Sequence, residues 1–482
     1  MLKKWMLPLA IVLSLAIGVT GGMYFEPNLF MKWNTPEEVE REKLTLNDGS
    51  LEEMEKIVQA YELINRYYID EVEESDLVSG AIQGMIGTLK DPYSVYMDKE
   101  TAEQFNESLD SSFEGIGTEI GVEEEKVIIV SPYKDSPAEK AGLKPKDEIV
   151  SVNGKSVQGL NVQEVSVLIR GEKGTRVRLE IKRPGVTRHL SFHIKRDTIP
   201  IETVFSDIKE QNGEKVGYIE ISSFSKNTAA DFNNHLKKLE KENIKALVID
   251  VRSNPGGLLT AVSKIVNELV PSEKPYMMIE NKYGEKSESY TKLAKKKPYN
   301  IAVLIDEGSA SASEILAAAL QEAGGYPLIG EKTFGKGTVQ QAVPMDDGSN
   351  IKLTFYKWLT PNGNWIHQKG IKPTLAISQP PVFTTHALSI DQTLEKDMTD
   401  EQIEHAQEIL RSLGYEPGRI DGYYDLKTEI AVKAFQSATG LPATGKIDVK
   451  TAAAMEKEIE EEKKDENNDI QLRTAIRYLL KD

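Results

Sequence analysis

The stretch NIAVLIDEGSASASEILAAAL, residues 300–320, decides how the rest of the chain is read. NIAVLID (300–306) is a strand, and a helix of small residues begins near Ser311. That change of period places Ser309, Ser311 and Ser313 at the carboxyl edge of a sheet, where α/β proteins present side chains on a rigid scaffold. Serine is also a frequent helix cap, so the run alone does not separate catalysis from capping. Upstream, VGYIEISSF (216–224) alternates with a period of two, DFNNHLKKL (231–239) has helical spacing, and ALVIDVR (246–252) is a continuous apolar run suited to a strand covered on both faces. Together they make a β-α-β unit. The turn Asn254-Pro255-Gly256-Gly257 and the helix LLTAVSKIVNELV (258–270) lead back to the opening strand, so residues 199–378 are expected to form one layered α/β domain.

Lys336 follows in GEKTFGKGTVQ (330–340), with Gly335 and Gly337 on either side, a pattern that implies a tightly placed backbone. A lysine is otherwise a solvated surface cation. Gly330 to Lys336 reads G-x-x-x-x-G-K, but Gly337 stands where a phosphate-binding loop needs Ser or Thr. TVQQAVPM (338–345) and NIKLTFYKW (350–358) then alternate like strands instead of opening a helix, so ATP binding is not expected. The chain has no G-x-S-x-G elbow and no H-E-x-x-H pair, and none of its six histidines lies near the serine run. The SxxK spacing of Ser289 and Lys292 falls in the polar stretch NKYGEKSESYTKLAKKK and reads as coincidence.

Residues 112–198 carry short β-like runs, among them KVIIV (126–130) and VRLEIKR (177–183), interrupted by one helix from Val162 to Ile169. GLKPKDEIVSVNGKSV (142–157) and LIRGEKGTRVRLEI (168–181) resemble a PDZ domain. That resemblance implies a loop whose backbone N–H groups hold a peptide's terminal carboxylate, and the matching loop is Gly115-Ile116-Gly117. Glycines there permit consecutive amides to turn toward one anion. A dinucleotide site fails, because the third glycine of G-x-G-x-x-G is displaced.

Between 36 and 111, Ile57, Val58, Tyr61, Ile64 and Tyr68 describe one face of an amphipathic helix, and a second helix runs through Leu77, Ile82 and Met85. So small a helical unit buries little by itself, which suggests a partner, with a second copy of the chain the expected one. Residues 6–25 are uncharged over a length that spans a ~30 Å hydrocarbon core at ~1.5 Å rise per residue. Lys3 and Lys4 precede the segment, so it reads as a single-pass anchor with the rest of the chain outside the cell. A signal peptide with small residues at Ser14-Leu15-Ala16 is the alternative.

At the other end, residues 400–456 resemble the small helical peptidoglycan-binding domain through DG, T-x-x-AV-x-x-FQ, GL and TG signposts, with Ile430, Val432 and Phe435 expected in its core. Residues 457–482 read as a charged tether ending in the amphipathic IQLRTAIRYLL, whose Leu472, Ile476, Leu479 and Leu480 share a face that should dock on a folded domain. The net charge of −17 opposes binding to nucleic acid. The absence of cysteine removes disulfides, a thiolate nucleophile and cysteine-ligated zinc.

Taken with RSNPGG (252–257), the motifs GSASASEIL and GEKTFGKGTVQ closely resemble those of the carboxy-terminal processing peptidases, the tail-specific proteases of peptidase family S41, over residues 40–378. The added modules look most like the CtpB and CtpA type of spore-forming bacteria, which implies a place in envelope or sporulation signalling. The resemblance implies a multidomain α/β chain: a Ser-Lys protease core of the ClpP/crotonase-like layout, a PDZ domain, an N-terminal helical region and the C-terminal helical module. It puts the nucleophile on Ser311, the general base on Lys336 and the residue orienting that base on Gln340, with no cofactor or metal. Oxyanion donors are expected from the amide of Ser311 or Ala312 and from Gly256 or Gly257. Arg170 is expected to report occupancy of the PDZ groove by contacting the protease core. A lysine of ordinary pKa, ~10.4, cannot accept the serine proton at neutral pH, so burial must lower it. Substrates are then proteins with free C-termini; the competing function is a non-catalytic scaffold that tethers C-termini to peptidoglycan.

Overall fold

The computed structural model describes residues 48–123, 126–390 and 392–481; the uncharged segment 6–25 lies outside the described residues. No helix among the described residues is long and apolar enough to cross a membrane. The chain divides into two compact units. Of the described residues, the smaller takes in those up to Glu103, Met277–Tyr290 and Thr338–Leu359, and the larger Gln104–Tyr276, Thr291–Gly337 and those from Thr360 onward.

In the larger unit the core is a six-stranded sheet of β1 (Val204–Gln211), β2 (Glu214–Ile221), β3 (Ala246–Asp250), β4 (Asn300–Ile305), β5 (Leu328–Gly330) and β6 (Leu375–Ala376), paired in chain order. β1 and β2 form an antiparallel hairpin, and every later neighbour is parallel. Helices α1 (Thr228–Lys241), α2 (Leu259–Leu269) and α3 (Ala312–Ala318) connect β2 to β3, β3 to β4 and β4 to β5. Because each crossover steps the same way across the sheet, the right-handed rule sends all three helices to one face. α1 packs on α2 and α2 on α3 accordingly.

The opposite face would be bare without the end of the chain. There α4 (Ile470–Leu479) lays Leu472, Ala475, Ile476 and Leu479 against Val216, Ala246, Val248, Ala302, Leu304 and Ile329. At roughly 1.5–3 kcal/mol for each large side chain removed from water, this docking is a substantial part of the core. It also explains why every residue of β3 is buried. The terminal helix is thus a structural layer of the α/β core, and the module that precedes it in sequence lies between two pieces of that core.

That module packs the helices Glu401–Ser412, Leu426–Ala438 and Val449–Lys464 around Ile403, Leu410, Tyr424, Val432, Phe435 and Met455. Asp400, Asp425 and Asp448 cap the three helices with their carboxylates. Val432 and Phe435 are fully buried as expected, but Ile430 is 58% exposed. Two residues before Val432 on a helix, Ile430 points some 200° away from it, which is the physical reason the expectation fails. The PDZ-like part is a sheet of Thr118–Glu123, Lys126–Pro132, Glu148–Val152, Arg176–Lys182 and Leu190–Lys195, with the helix Val162–Ile169 started by an Asn161–Glu164 capping box. Its core gathers Ile116, Ile129, Val165, Leu179 and Ile181.

The smaller unit is built on the strand Asn350–Leu359, which pairs with Thr338–Pro344, Val95–Met97 and Met277–Glu280. A bulge between Val339 and Gln340 shifts the register so that Gln340 stands opposite Thr354. Its helices Asp48–Tyr67 and Glu74–Gly87 leave Val58, Ile64 and Met85 exposed, as is Tyr68 just after the first helix.

Candidate active site

The carboxyl ends of β3 and β4 place two turns side by side, residues 251–257 and 306–311. The three serines are fixed to different degrees. Ser309 donates its hydroxyl to the Val251 carbonyl at 2.7 Å, Ser313 donates to the Asn254 carbonyl at 2.8 Å, and both are completely buried. Ser311 alone of the three is reached by solvent. It precedes α3 with φ 55° and ψ −110°, a backbone state outside the left-handed well that an L-residue adopts at a cost of about 1–3 kcal/mol. The flanking serines therefore staple the turns together and the middle one is presented under strain.

Gly256 and Gly257 make the close approach possible. A Cβ on Gly256, at φ +107°, would lie 2.9 Å from the Ser311 Cβ and 3.0 Å from the Ala312 nitrogen; one on Gly257 would strike the Phe224 carbonyl. Asn254 organises this turn from a fully buried position, donating to the Ile221 carbonyl at 2.6 Å and accepting the Gly256 N–H at 2.8 Å. Of the expected oxyanion donors, the Gly256 amide is thus engaged with Asn254 and the Ser311 amide with Glu314. The amides of Gly257 and Ala312 carry no such bond among the described residues.

Lys336 sits in the loop after β5 and is partly buried. Its glycine neighbours are sterically required: a Cβ on Gly335 would meet the Gly370 nitrogen at 2.9 Å, and one on Gly337 the His367 nitrogen at 2.7 Å. Gln368 donates its N–H to the Gly335 carbonyl at 2.7 Å, and the Trp365 indole donates to the Gly337 carbonyl at 2.8 Å.

The residue that joins the serine turn to the lysine loop is Glu314, which the sequence reading passed over. Its carboxylate is completely buried and accepts four hydrogen bonds. Oε2 takes the N–H of Ser311 at 2.9 Å and of Lys336 at 2.8 Å; Oε1 takes the N–H of Gly335 at 2.7 Å and the hydroxyl of Thr333 at 2.6 Å. Burial pushes the carboxyl above the ordinary glutamate range, and these bonds pull it partly back. A carboxylate with its acceptor positions so occupied is placed to hold two loops, not to serve as the general base of the reaction. The S-x-x-E spacing from Ser311 to Glu314 was the signal that could have found it.

Gln340 belongs to the smaller unit, where its Nε2 donates to Thr338 at 3.0 Å and to Thr354 at 3.1 Å. In the PDZ-like part, a cavity of ≈ 200 Å³ runs between the strand from Thr118 and the helix ending at Ile169, with Gly115, Ile116 and Gly117 in its wall. Ile116 is buried, and Gly117 adopts φ +74° against Ser136, whose Cβ leaves no room for a side chain. Arg170 lines the same cavity. Its guanidinium lies 3.1 Å from Glu107 and 5.1 Å from the centre of the Phe113 ring, so among the described residues its partners come from the start of the PDZ-like part and the helix before it.

Comparison with known proteins matches residues 215–377 to peptidase family S41, 15–101 to the activating protease CtpB N-terminal domain, 128–183 to the PDZ domain and 399–455 to a putative peptidoglycan binding domain. The carboxy-terminal processing protease CtpB of Bacillus subtilis is 55% identical over 427 residues, 89% of each chain. CtpA of the same organism is 44% identical over 428 residues, 89% of this chain and 90% of that one. Among solved structures, the photosystem II D1 C-terminal processing protease is 26% identical, with a TM-score of 0.42 over 69% of this chain and 94% of that one.

Proposed function

The chain belongs to the carboxy-terminal processing proteases of peptidase family S41, and from that premise we propose that it hydrolyses peptide bonds through a dyad of Ser311 and Lys336. The observation that carries this reading is the shared hold of Glu314 on the backbone amides of both residues. In the reaction the Ser311 Oγ attacks the scissile carbonyl carbon while the neutral amine of Lys336 takes the hydroxyl proton. The oxyanion forms against the amides of Gly257 and Ala312. The ammonium of Lys336 then gives its proton to the departing amine, leaving an acyl ester on Ser311. Water attacks that ester, Lys336 again takes the proton, and Ser311 is regenerated. Gln340 orients the lysine amine throughout.

The cavity beside Gly115-Ile116-Gly117 receives a substrate's free C-terminus, in the manner of a strand added to a sheet edge. The module at 399–455 binds peptidoglycan. The exposed apolar side chains of the N-terminal helices, Val58, Ile64 and Tyr68 among them, support pairing with a second copy. The uncharged segment at 6–25 supports a single-pass anchor with catalysis outside the cytoplasm, where the likeness to CtpB suggests envelope or sporulation signalling. The decisive experiment is cleavage of an unstructured protein by the full chain with chelator present and ATP absent, beside Ser311→Ala and Lys336→Met. Cleavage by wild type and its loss in both variants is the expected result; a wild type as inactive as Ser311→Ala would leave only the scaffold.

A further inference from the structure

We propose that Asp91 and Thr354 are positioning residues that fix which end of the Gln340 side-chain amide is offered to the lysine amine, an inference that rests on the reading of Gln340 just given. All three residues lie in the smaller unit. A hydroxyl has one hydrogen, and that of Thr354 goes to the Asp91 carboxylate, its Oγ1 standing 2.6 Å from Oδ2. Ionised Asp91 can only accept, so the direction of this bond is not reversible. With its hydrogen engaged, the Thr354 oxygen can only accept in turn, and it takes a hydrogen from Gln340 Nε2 at 3.1 Å. The other hydrogen of Nε2 goes to Thr338 at 3.0 Å. Nitrogen and oxygen of the amide are thereby told apart by chemistry. The amide nitrogen faces the two threonines and Oε1 is the end left to act.

The proposed reaction needs that end. A neutral amine that is to take the serine proton must keep its lone pair open and be held by acceptors for its own hydrogens. A carbonyl oxygen does this; a turned amide would donate an N–H to the lone pair and block it. The polarity therefore starts at a carboxylate outside the α/β core and is passed through a hydroxyl to the amide. Asp91 is itself held by the surrounding Asp-Pro-Tyr-Ser segment, residues 91–94. Its Oδ1 accepts the Tyr93 N–H at 3.1 Å and its Oδ2 the Ser94 hydroxyl at 2.6 Å, while Ser94 accepts the Thr354 N–H at 3.1 Å. The bulge beside Gln340 supplies the register that sets it opposite Thr354.

The test is a double-mutant cycle on the full-length chain, with kcat and KM measured on an unstructured protein and folding checked by thermal melting. Thr354→Val is isosteric and removes only the hydroxyl chemistry; it should lower kcat about 10–100-fold, the order expected for a misplaced catalytic group, with KM within about twofold. Asp91→Asn should act in the same direction, and Thr354→Ser should restore kcat to within about threefold. In a Gln340→Ala background, Thr354→Val should cost nothing further, because its effect passes through the amide. A Thr354→Val loss that multiplies onto that of Gln340→Ala, or a serine that fails to restore activity, overturns the proposal. Gln340→Ala at full activity would instead remove the role of Gln340 on which the proposal rests, whereas impaired Gln340→Ala beside fully active Thr354→Val overturns the positioning chain alone.

Discussion

The carboxyl edge of the core sheet is held by two buried polar clusters built on opposite plans. At one, the Glu314 carboxylate is surrounded by three backbone amides and a hydroxyl. At the other, the Arg252 guanidinium lies 2.6 Å from Asp250 and 2.7 Å from Asp469, with Gln471 at 3.0 Å. Neutral donors of fixed direction set the geometry of two loops and spread the carboxylate charge over the backbone, which weakens its pull on an ammonium in the same loop. Full charges instead join segments far apart in the chain, with no group in the cluster required to change protonation. The difference teaches that the first cluster serves geometry at the reacting turn and the second serves architecture. The largest expected effect follows. Glu314→Gln keeps the shape but puts an NH₂ where two acceptor bonds were made, and should lower kcat and the rate of Ser311 labelling by a fluorophosphonate by about 10²–10³-fold. Its melting temperature should fall only by a few degrees, since one unsatisfied buried group costs about 1–3 kcal/mol. Wild-type kcat in this variant would erase the distinction between the clusters.

The Arg252 cluster should answer the other way. Arg252→Met leaves Asp250 and Asp469 buried without their cation, and losing one partner of such a cluster costs about 3–5 kcal/mol. Denaturant unfolding should register that loss, while kcat per folded molecule stays within about threefold of wild type. Leu472→Ala, on the face of α4 that lies on the sheet, tests the same layer through packing, with an expected loss of about 2–5 kcal/mol. If Arg252→Met unfolds at the wild-type denaturant concentration, the terminal helix is held by its apolar face alone.

How much of this was legible in the sequence follows from the range of each interaction. The strand-to-helix change at 306–311, the tight glycines around Lys336 and the amphipathic face of IQLRTAIRYLL are local patterns, and each appears where the pattern put it. Glu314 was legible in principle, since S-x-x-E is a local signature, but the same spacing marks any helix capping box and does not announce a carboxylate shared with a second loop. The Asn254 side chain taking the Gly256 amide was not legible, because nothing in RSNPGG says which donor a buried amide will take. Nor was the link from Arg252 to Asp469, 217 residues apart, which only the closed sheet brings together. Ile430 failed for a simpler reason, as an apolar residue on a helix is core only if its angle around the axis agrees. Of the partners of Arg170, Phe113 lies at the start of the PDZ-like span 112–198 and Glu107 before it, on the preceding helix.

Acid sharpens the comparison by the smallest effect and separates the clusters in order. Glu314 is raised, so the stability it contributes is fully present below the ordinary glutamate value, ~4.3, and is lost as the pH rises through its folded value. For Asp469 burial works upward, but the hydrogen bond and charge of Arg252 outweigh it and hold the carboxyl below the ordinary aspartate range. Its contribution is present above ~3.9 and is lost as the pH falls through its folded value. On acidification from neutrality Glu314 should therefore take its proton first. A protonated oxygen keeps fewer acceptor positions and must place its own hydrogen, so one of the amides of Ser311, Gly335 or Lys336 has to let go while the fold as a whole is not weakened. Asp469 should protonate only at lower pH, and α4 should then loosen from the sheet. Hydrogen exchange read by mass spectrometry, corrected for the intrinsic pH dependence of amide exchange, should show protection falling at 311–336 before it falls at 470–479. Simultaneous loss, or release of the terminal helix first, would mean that the two clusters are one electrostatic unit and that their contrast in construction has no functional consequence.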